Sequence, residues 1–429
     1  MALSNLKVEV ADSGPCERTL SVTIQPEAVR DEREKVLSDF RKKARIEGFR
    51  PGKAPRKLIA GRFAEAIKVE VLQNVINAGC AQALEQEKIQ PLTRPTVQKV
   101  DLSEDDELSF VASVEVPPQI KLKRYTKFKV ENRVHTITDR DVDEALENLR
   151  DRQARFIPKE GAAEAGDYLV IDFAVLDEEG GSQPANERKN QLVMAGHEDP
   201  TALFSHRLVG LTEGENQRVD IDFPEDYPDG SLQGKKVGYR VDVRGVRVKT
   251  LPELDDHFAA QVSPAENLEG LKELIRQNLQ HEVDQRARRR LEDEIFRLII
   301  EANPFDVPAS LVGSAVRRQV ENARKQYPDQ QIDGEEIARI ARPVAEFSIK
   351  REYLIREIAG QEKIEAAPAD FEARIQEYAG QLNKPVDEVR GDFRSAEAAG
   401  QLRALILTEK VVQFLLENND IKKVEEDLD

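Results

Sequence analysis

Beyond Leu251 the apolar residues of this chain recur at helical spacing almost to the last residue. Leu268, Leu271, Ile275 and Leu279 make one stripe, and Ile295, Leu298 and Ile299 follow on an arginine-rich segment. Val307-Pro308 opens another helix, with proline at a tolerated first-turn position, and Leu311, Val312, Val316 and Val320 line it. Further helices are predicted at about 341–361, 368–381, 385–395 and 396–418. A helix buries only its stripe, so such stripes must pack on one another. The half after residue 249 is therefore predicted all-α, with a charged, frayed tail from Lys422 to Asp429.

The first half has a different period. Leu20, Val22 and Ile24 alternate as one face of a strand does, and so do Leu108, Phe110, Ala112, Val114 and Val116. Between them lie helical patterns at about 26–44 and through Ile67, Val71, Val75 and Ala78, with Gly79 inside the second. Pro117-Pro118 closes this α+β unit. A lysine-bearing stretch near 119–135 and a helix striped by Val142, Leu146 and Leu149 come next. Residues 168–173 and 237–246 read as strands, and 177–190 reads as a polar loop. The prediction is a multidomain α+β chain with boundaries at 1–116, 117–157 (a linker with a helix), 158–248 and 249–429.

Charge sharpens one place. The chain carries −17 overall, which excludes a protein that coats nucleic acid with its whole surface. Between Arg41 and Arg62, however, nine basic residues face one acid, Glu47. That is +8 locally and about −25 elsewhere, so attraction for an anionic partner is concentrated there. Within it lies Gly48-Phe49-Arg50-Pro51-Gly52-Lys53-Ala54-Pro55. Two glycines and two prolines forbid a continuous helix, and Pro51-Gly52 suits the centre of a type II turn. Phe49 either projects beside Arg50, where both could meet RNA, or folds back as a staple on the preceding helix.

Other chemistry is sparse. Cys16 and Cys80 are far apart, which fits a reducing compartment. The five histidines are scattered without metal-ligand spacing, and no P-loop or Gly-x-Ser-x-Gly elbow is present. No cofactor and no ATP dependence are expected. The opening MALSNLKVEV carries no signal-peptide pattern and no stretch reaches membrane-spanning length, so a cytoplasmic protein without membrane contact is expected.

The string KKARIEGFRPGKAPRKLI resembles the signature segment of trigger factor, the ribosome-associated chaperone family, and NPFDVPASLV resembles the family's entry into its helical arms. The resemblance implies a ribosome-binding α+β domain, an FKBP-like β-rich prolyl isomerase domain, and an all-α chaperone domain with helical arms. It implies docking on a ribosomal protein and nearby rRNA at the exit tunnel through Gly48, Phe49, Arg50, Pro51, Gly52 and Lys53, with Lys42, Lys43 and Arg45 beside them. The family often has lysine where this chain has Pro51. Partners would be the ribosome and nascent or unfolded polypeptides, with a homodimer possible off the ribosome. Phe173, Phe204, Tyr227 and Tyr239 match the family's pocket aromatics. The apolar stretch reads Thr201-Ala202-Leu203-Phe204, the loop GGSQPANERKN has no aromatic, and the Gly-x-Gly turn reads Gly196-His197-Glu198. These departures predict an impaired isomerase. For the helical half, Val316, Val320, Leu354, Ile355, Phe371, Ile375, Leu405 and Leu415 are candidates for client contact, with helix–helix core as the alternative. Rival readings are an isomerase with delivery domains, a periplasmic chaperone-isomerase and an RNA-binding adaptor.

Overall fold

The computed structural model describes residues 6–47, 49–50, 53–176, 182–197, 202–228, 232–328 and 333–426. It divides into two units, one of residues 1–132 with 288–424 and one of residues 133–287 with 425–429.

The first unit opens with β1 (Lys7–Gly14), β2 (Glu17–Ile24), α1 (Pro26–Lys43), α2 (Arg56–Arg62), α3 (Ala64–Gln86), β3 (Thr96–Leu102) and β4 (Leu108–Glu115). The strands form one antiparallel sheet in the order β1-β2-β4-β3. Leu20, Val22 and Ile24 stand opposite Ala112, Phe110 and Leu108, so both alternating sets share one face. That face is sealed by Val29 and Val36 of α1 and by Ile67, Val71 and Val75 of α3. Gly79 belongs there by necessity. A Cβ on it would lie 2.9 Å from Ile24 Cδ1 and 3.2 Å from the Phe110 ring. β1 and β3, which the sequence did not announce, are largely exposed edge strands without a clean apolar alternation.

Next come β5 (Lys129–Val134), α4 (Asp139–Arg152), β6 (Arg155–Lys159), β7 (Tyr168–Leu176), β8 (Ser182–Met194), α5 (Leu203–His206), β9 (Asn216–Asp222), β10 (Lys236–Thr250), α6 (Asp256–Val262) and α7 (Leu268–Ala302). In the second unit, β6-β10-β7-β8 form an antiparallel sheet with β9 paired to β10. β8 corrects the expected loop at 177–190 from residue 182 on, and 177–181 lie outside the described residues. Its polar residues pair through their backbones with the apolar β7, a contact that composition does not reveal. Leu146 of α4 packs with Phe258, Ala259 and Leu271 in a separate cluster.

The helical remainder of the first unit is the second half of α7 with α8 (Ala309–Gln326), α9 (Gly334–Glu362), α10 (Pro368–Leu382), α11 (Val386–Asp392), α12 (Ala396–Glu417) and a last strand, β11 (Asp420–Glu425). Two clusters hold it. One joins Leu291, Ile295, Phe296 and Ile299 to Leu354, Ile358, Val411 and Leu415, and draws in Phe128 and Val130. The other joins Ile375, Ala379, Val389, Leu402 and Ile406. Of the tail expected to fray, residues 422–425 belong instead to β11, which pairs with β5, and 427–429 lie outside the described residues. Among the described residues no helix is long and apolar enough to cross a membrane.

Candidate docking loop and client-binding surfaces

The basic loop is held at both feet. α1 ends with Arg41, Lys42 and Lys43 in its last turn, where the helix dipole favours cations. Ile46 and Ala54 are buried in the core beneath. The Phe49 amide donates to the Ile46 carbonyl at 3.1 Å, and the Lys53 amide donates to the Arg50 carbonyl at 2.9 Å, the spacing of a β-turn bond. Arg41 Nε ties the two feet by donating to the Ala54 carbonyl at 3.0 Å. Gly48, Pro51 and Gly52 lie outside the described residues. Phe49 is 42% exposed and is absent from the set packed on the core, so it does not staple back; Phe40 pairs with Phe63 there instead, at 5.8 Å.

Pairing separates the nine cations into two groups. Arg41 is spent on Ala54, Lys42 pairs with Asp39 at 3.0 Å, and Arg56 pairs with Glu34 at 2.7 Å. Among the described residues, Lys43, Arg45, Arg50, Lys53, Lys57 and Arg62 form no ion pair. Six uncommitted cations around an exposed aromatic can meet an anionic surface without breaking an existing contact. The Lys42–Asp39 pair is surface-exposed and therefore weak, so Lys42 remains recruitable.

In the second unit three of the four expected aromatics meet. Phe173, Phe204 and Tyr239 lie with ring centroids 5.1–6.3 Å apart, each half-buried on the sheet's core. Tyr227 packs on Phe223 at 4.7 Å. Burial, and secondarily Tyr227, pushes the Tyr239 hydroxyl above its usual range. Of the apolar stretch, Ala202, Leu203 and Phe204 are described and Thr201 is not. Gly196 takes a left-handed φ of 63°, and a side chain there would meet Ala165 at 2.9 Å. Among the described residues no group of three or more His, Cys, Asp or Glu is placed to hold a metal.

The helical candidates need correction. Leu354, Ile355, Ile375 and Leu415 are buried inside the two helical clusters, and Val316 is 7% exposed on α8. They are core because each stripe is used up by a neighbouring helix. Val320 and Phe371 are half-buried, and Leu405 alone of the candidates stands out, at 42% exposed. The sequence missed Ile340 and Val344, 60% and 63% exposed. They line a groove of about 660 Å³ between α8 and α9, floored by Ile337, Ala341, Ala345 and Ile349 and edged by Gln319 and Asn322. The signal is Ile337, Ile340, Ala341 and Val344 at helical spacing, which a helix predicted from 341 leaves out in part.

Residues 6–149 match the model of the bacterial trigger factor protein, and residues 267–417 match that of its C-terminus. The trigger factor of Solibacter usitatus is 30% identical over 414 residues, covering 94% of this chain and 97% of the relative. That of Alcanivorax borkumensis is 31% identical, covering 98% of this chain and 96% of the relative. A solved structure of the trigger factor chaperone aligns with a TM-score of 0.50 at 22% identity, over 96% of this chain and 99% of that one, a likeness of fold. By family models over both ends and relatives matched along nearly their whole length, the chain belongs to the trigger factor family of chaperones.

Proposed function

We propose that this chaperone works in the cytoplasm, docks on the ribosome beside the exit tunnel through Phe49, Arg50 and Lys53, and shields nascent polypeptides without ATP. The observation that carries the reading is the exposed Phe49 set among six unpaired cations in a chain of −17. The acidic remainder would be repelled by rRNA, which favours contact at the loop alone. Ribosome co-sedimentation of Phe49→Ala with Arg50→Ala tests it; unchanged co-sedimentation overturns it.

Clients would be held on the exposed apolar residues of the helical half, chiefly Ile340, Val344 and Leu405, by burial of roughly 25 cal/mol per Å². The middle sheet would bind proline-containing segments on the Phe173, Phe204 and Tyr239 rings. Its isomerase activity would be weak, because the family's opposing aromatic has no counterpart in residues 180–190. Cis/trans exchange of a proline test peptide decides this point; turnover equal to that of active relatives would refute weakness.

A further inference from the structure

The lysine-bearing stretch near 119–135 is not used by the docking loop, the isomerase surface or the α8–α9 groove. From Gln119 to Val130 it holds five basic residues and no acid. The structure shows that this stretch is a fixed surface. The buried Asn303 side chain clamps its backbone, accepting from the Lys123 and Arg124 amides at 2.5 and 3.3 Å and donating to the Arg124 carbonyl at 2.7 Å. Leu122 and Tyr125 are half-buried on the helical core, and Phe128 and Val130 lie within it. The Arg124 guanidinium lies 4.3 Å from the centre of the Phe128 ring and donates to the Lys127 carbonyl at 2.8 Å, so it is part of the scaffold.

The chain's last strand adds to the same surface. The Lys127 amide donates to the Asn418 carbonyl at 3.0 Å and the Asp420 amide donates to the Phe128 carbonyl at 2.8 Å, which seats β11 beside β5. β11 brings Lys422 and Lys423, both exposed. Among the described residues, Lys121, Lys123, Lys127, Lys129, Lys422 and Lys423 form no ion pair. Counting Glu131 and Asp420, residues 119–132 and 420–424, all of the first unit, together keep an excess of five positive charges.

We propose that this lysine face is a second contact surface, for the phosphate backbone of structured RNA. Two features select that partner. Lysines without bidentate arginines or exposed rings supply point charges, which suit phosphates and do not read bases. Phe128 and Val130 are buried and Leu122 and Tyr125 half-buried on the core, so an unfolded client would find little apolar surface here. The surface is separate from the Phe49 loop and stands whether or not that loop docks.

The test is binding of the full chain to a fluorescein-labelled 20-base-pair RNA duplex, followed by anisotropy from 0.05 to 0.2 M salt. Lys127→Gln, Lys129→Gln, Lys422→Gln and Lys423→Gln together should weaken binding at least about tenfold. They should also lower the log–log salt slope by about 3, at 0.7–0.9 per lost phosphate contact. The same four positions as arginine should bind as the parent does, which separates lost charge from lost fold. Phe49→Ala with Arg50→Ala should change the slope by about 1 only. The proposal is overturned if the glutamine variant keeps the parent's slope, if the arginine variant binds as weakly as the glutamine one, or if poly-glutamate displaces the duplex as well as unlabelled duplex does.

Discussion

Replacing Asn303 with alanine should loosen the lysine stretch while leaving the helices around it intact. Asn303 is 3% exposed and its amide makes three bonds to residues 123 and 124 and one to the Ile299 carbonyl at 2.8 Å. The Ile299 carbonyl keeps a partner after the change, because the Asn303 backbone amide also donates to it at 3.0 Å. The Lys123 amide and the Arg124 carbonyl lose theirs. The Arg124 amide loses only a long bond. A buried group left unsatisfied costs about 1–3 kcal/mol, and part of this edge is reachable by water, so the expected loss is about 2–4 kcal/mol. Because the chain divides into two units, the effect should be read locally. Hydrogen exchange at residues 119–130 should accelerate by about one and a half to three orders of magnitude, with α12 unchanged. Unaltered exchange at Lys123 and Arg124 would refute the clamp.

Other perturbations test other links. Gly79→Ala should destabilise the first sheet by up to about 2 kcal/mol: the helix gains about 1 kcal/mol, but overpacking against Ile24 and Phe110 costs about 1–3; a higher melting temperature would contradict this packing. Asp106→Asn should cost under about 1 kcal/mol at neutral pH and nothing in strong acid. The Arg33 guanidinium, with Arg30 assisting against a burial penalty, holds the Asp106 carboxyl below its usual range. Its contribution is therefore present above the unfolded value and lost as pH falls through the folded one; a pH-independent difference in urea midpoint would disprove it. Ile340→Ser with Val344→Ser should lower affinity for an unfolded test protein without shifting the melting curve. Leu354→Ala or Ile375→Ala should instead cost about 2–5 kcal/mol of stability; the reverse pattern would move the client surface into the helical core.

Much of the fold was legible because burial leaves a period. Leu20, Val22 and Ile24 face α1 and α3 as their alternation requires, and the stripes of α7 and α12 pack where helical spacing puts them. The elements that escaped are those without such a period. β8 is polar and owes its existence to β7, while β11 has four lysine or acid residues of six and exists because β5 offers it a backbone partner. Burial itself was less legible: Leu354 and Ile340 lie on the same helix and both belong to apolar patterns, yet one meets α7 and α12 and the other meets none of the core clusters. Which stripe finds a partner depends on tertiary packing. At the loop the sequence leaves open whether Phe49 projects or folds back; it is 42% exposed, while Gly48, Pro51 and Gly52 lie outside the described residues.

The central claim is docking through that loop. Ribosome pelleting with the parent chain and with Phe49→Ala, Arg50→Ala together measures it directly, with a thermal melt as the control for folding. The parent should pellet with ribosomes in a salt-sensitive way, and the double variant should stay in the supernatant with an unchanged melting curve. A folded double variant that pellets as the parent does would contradict it.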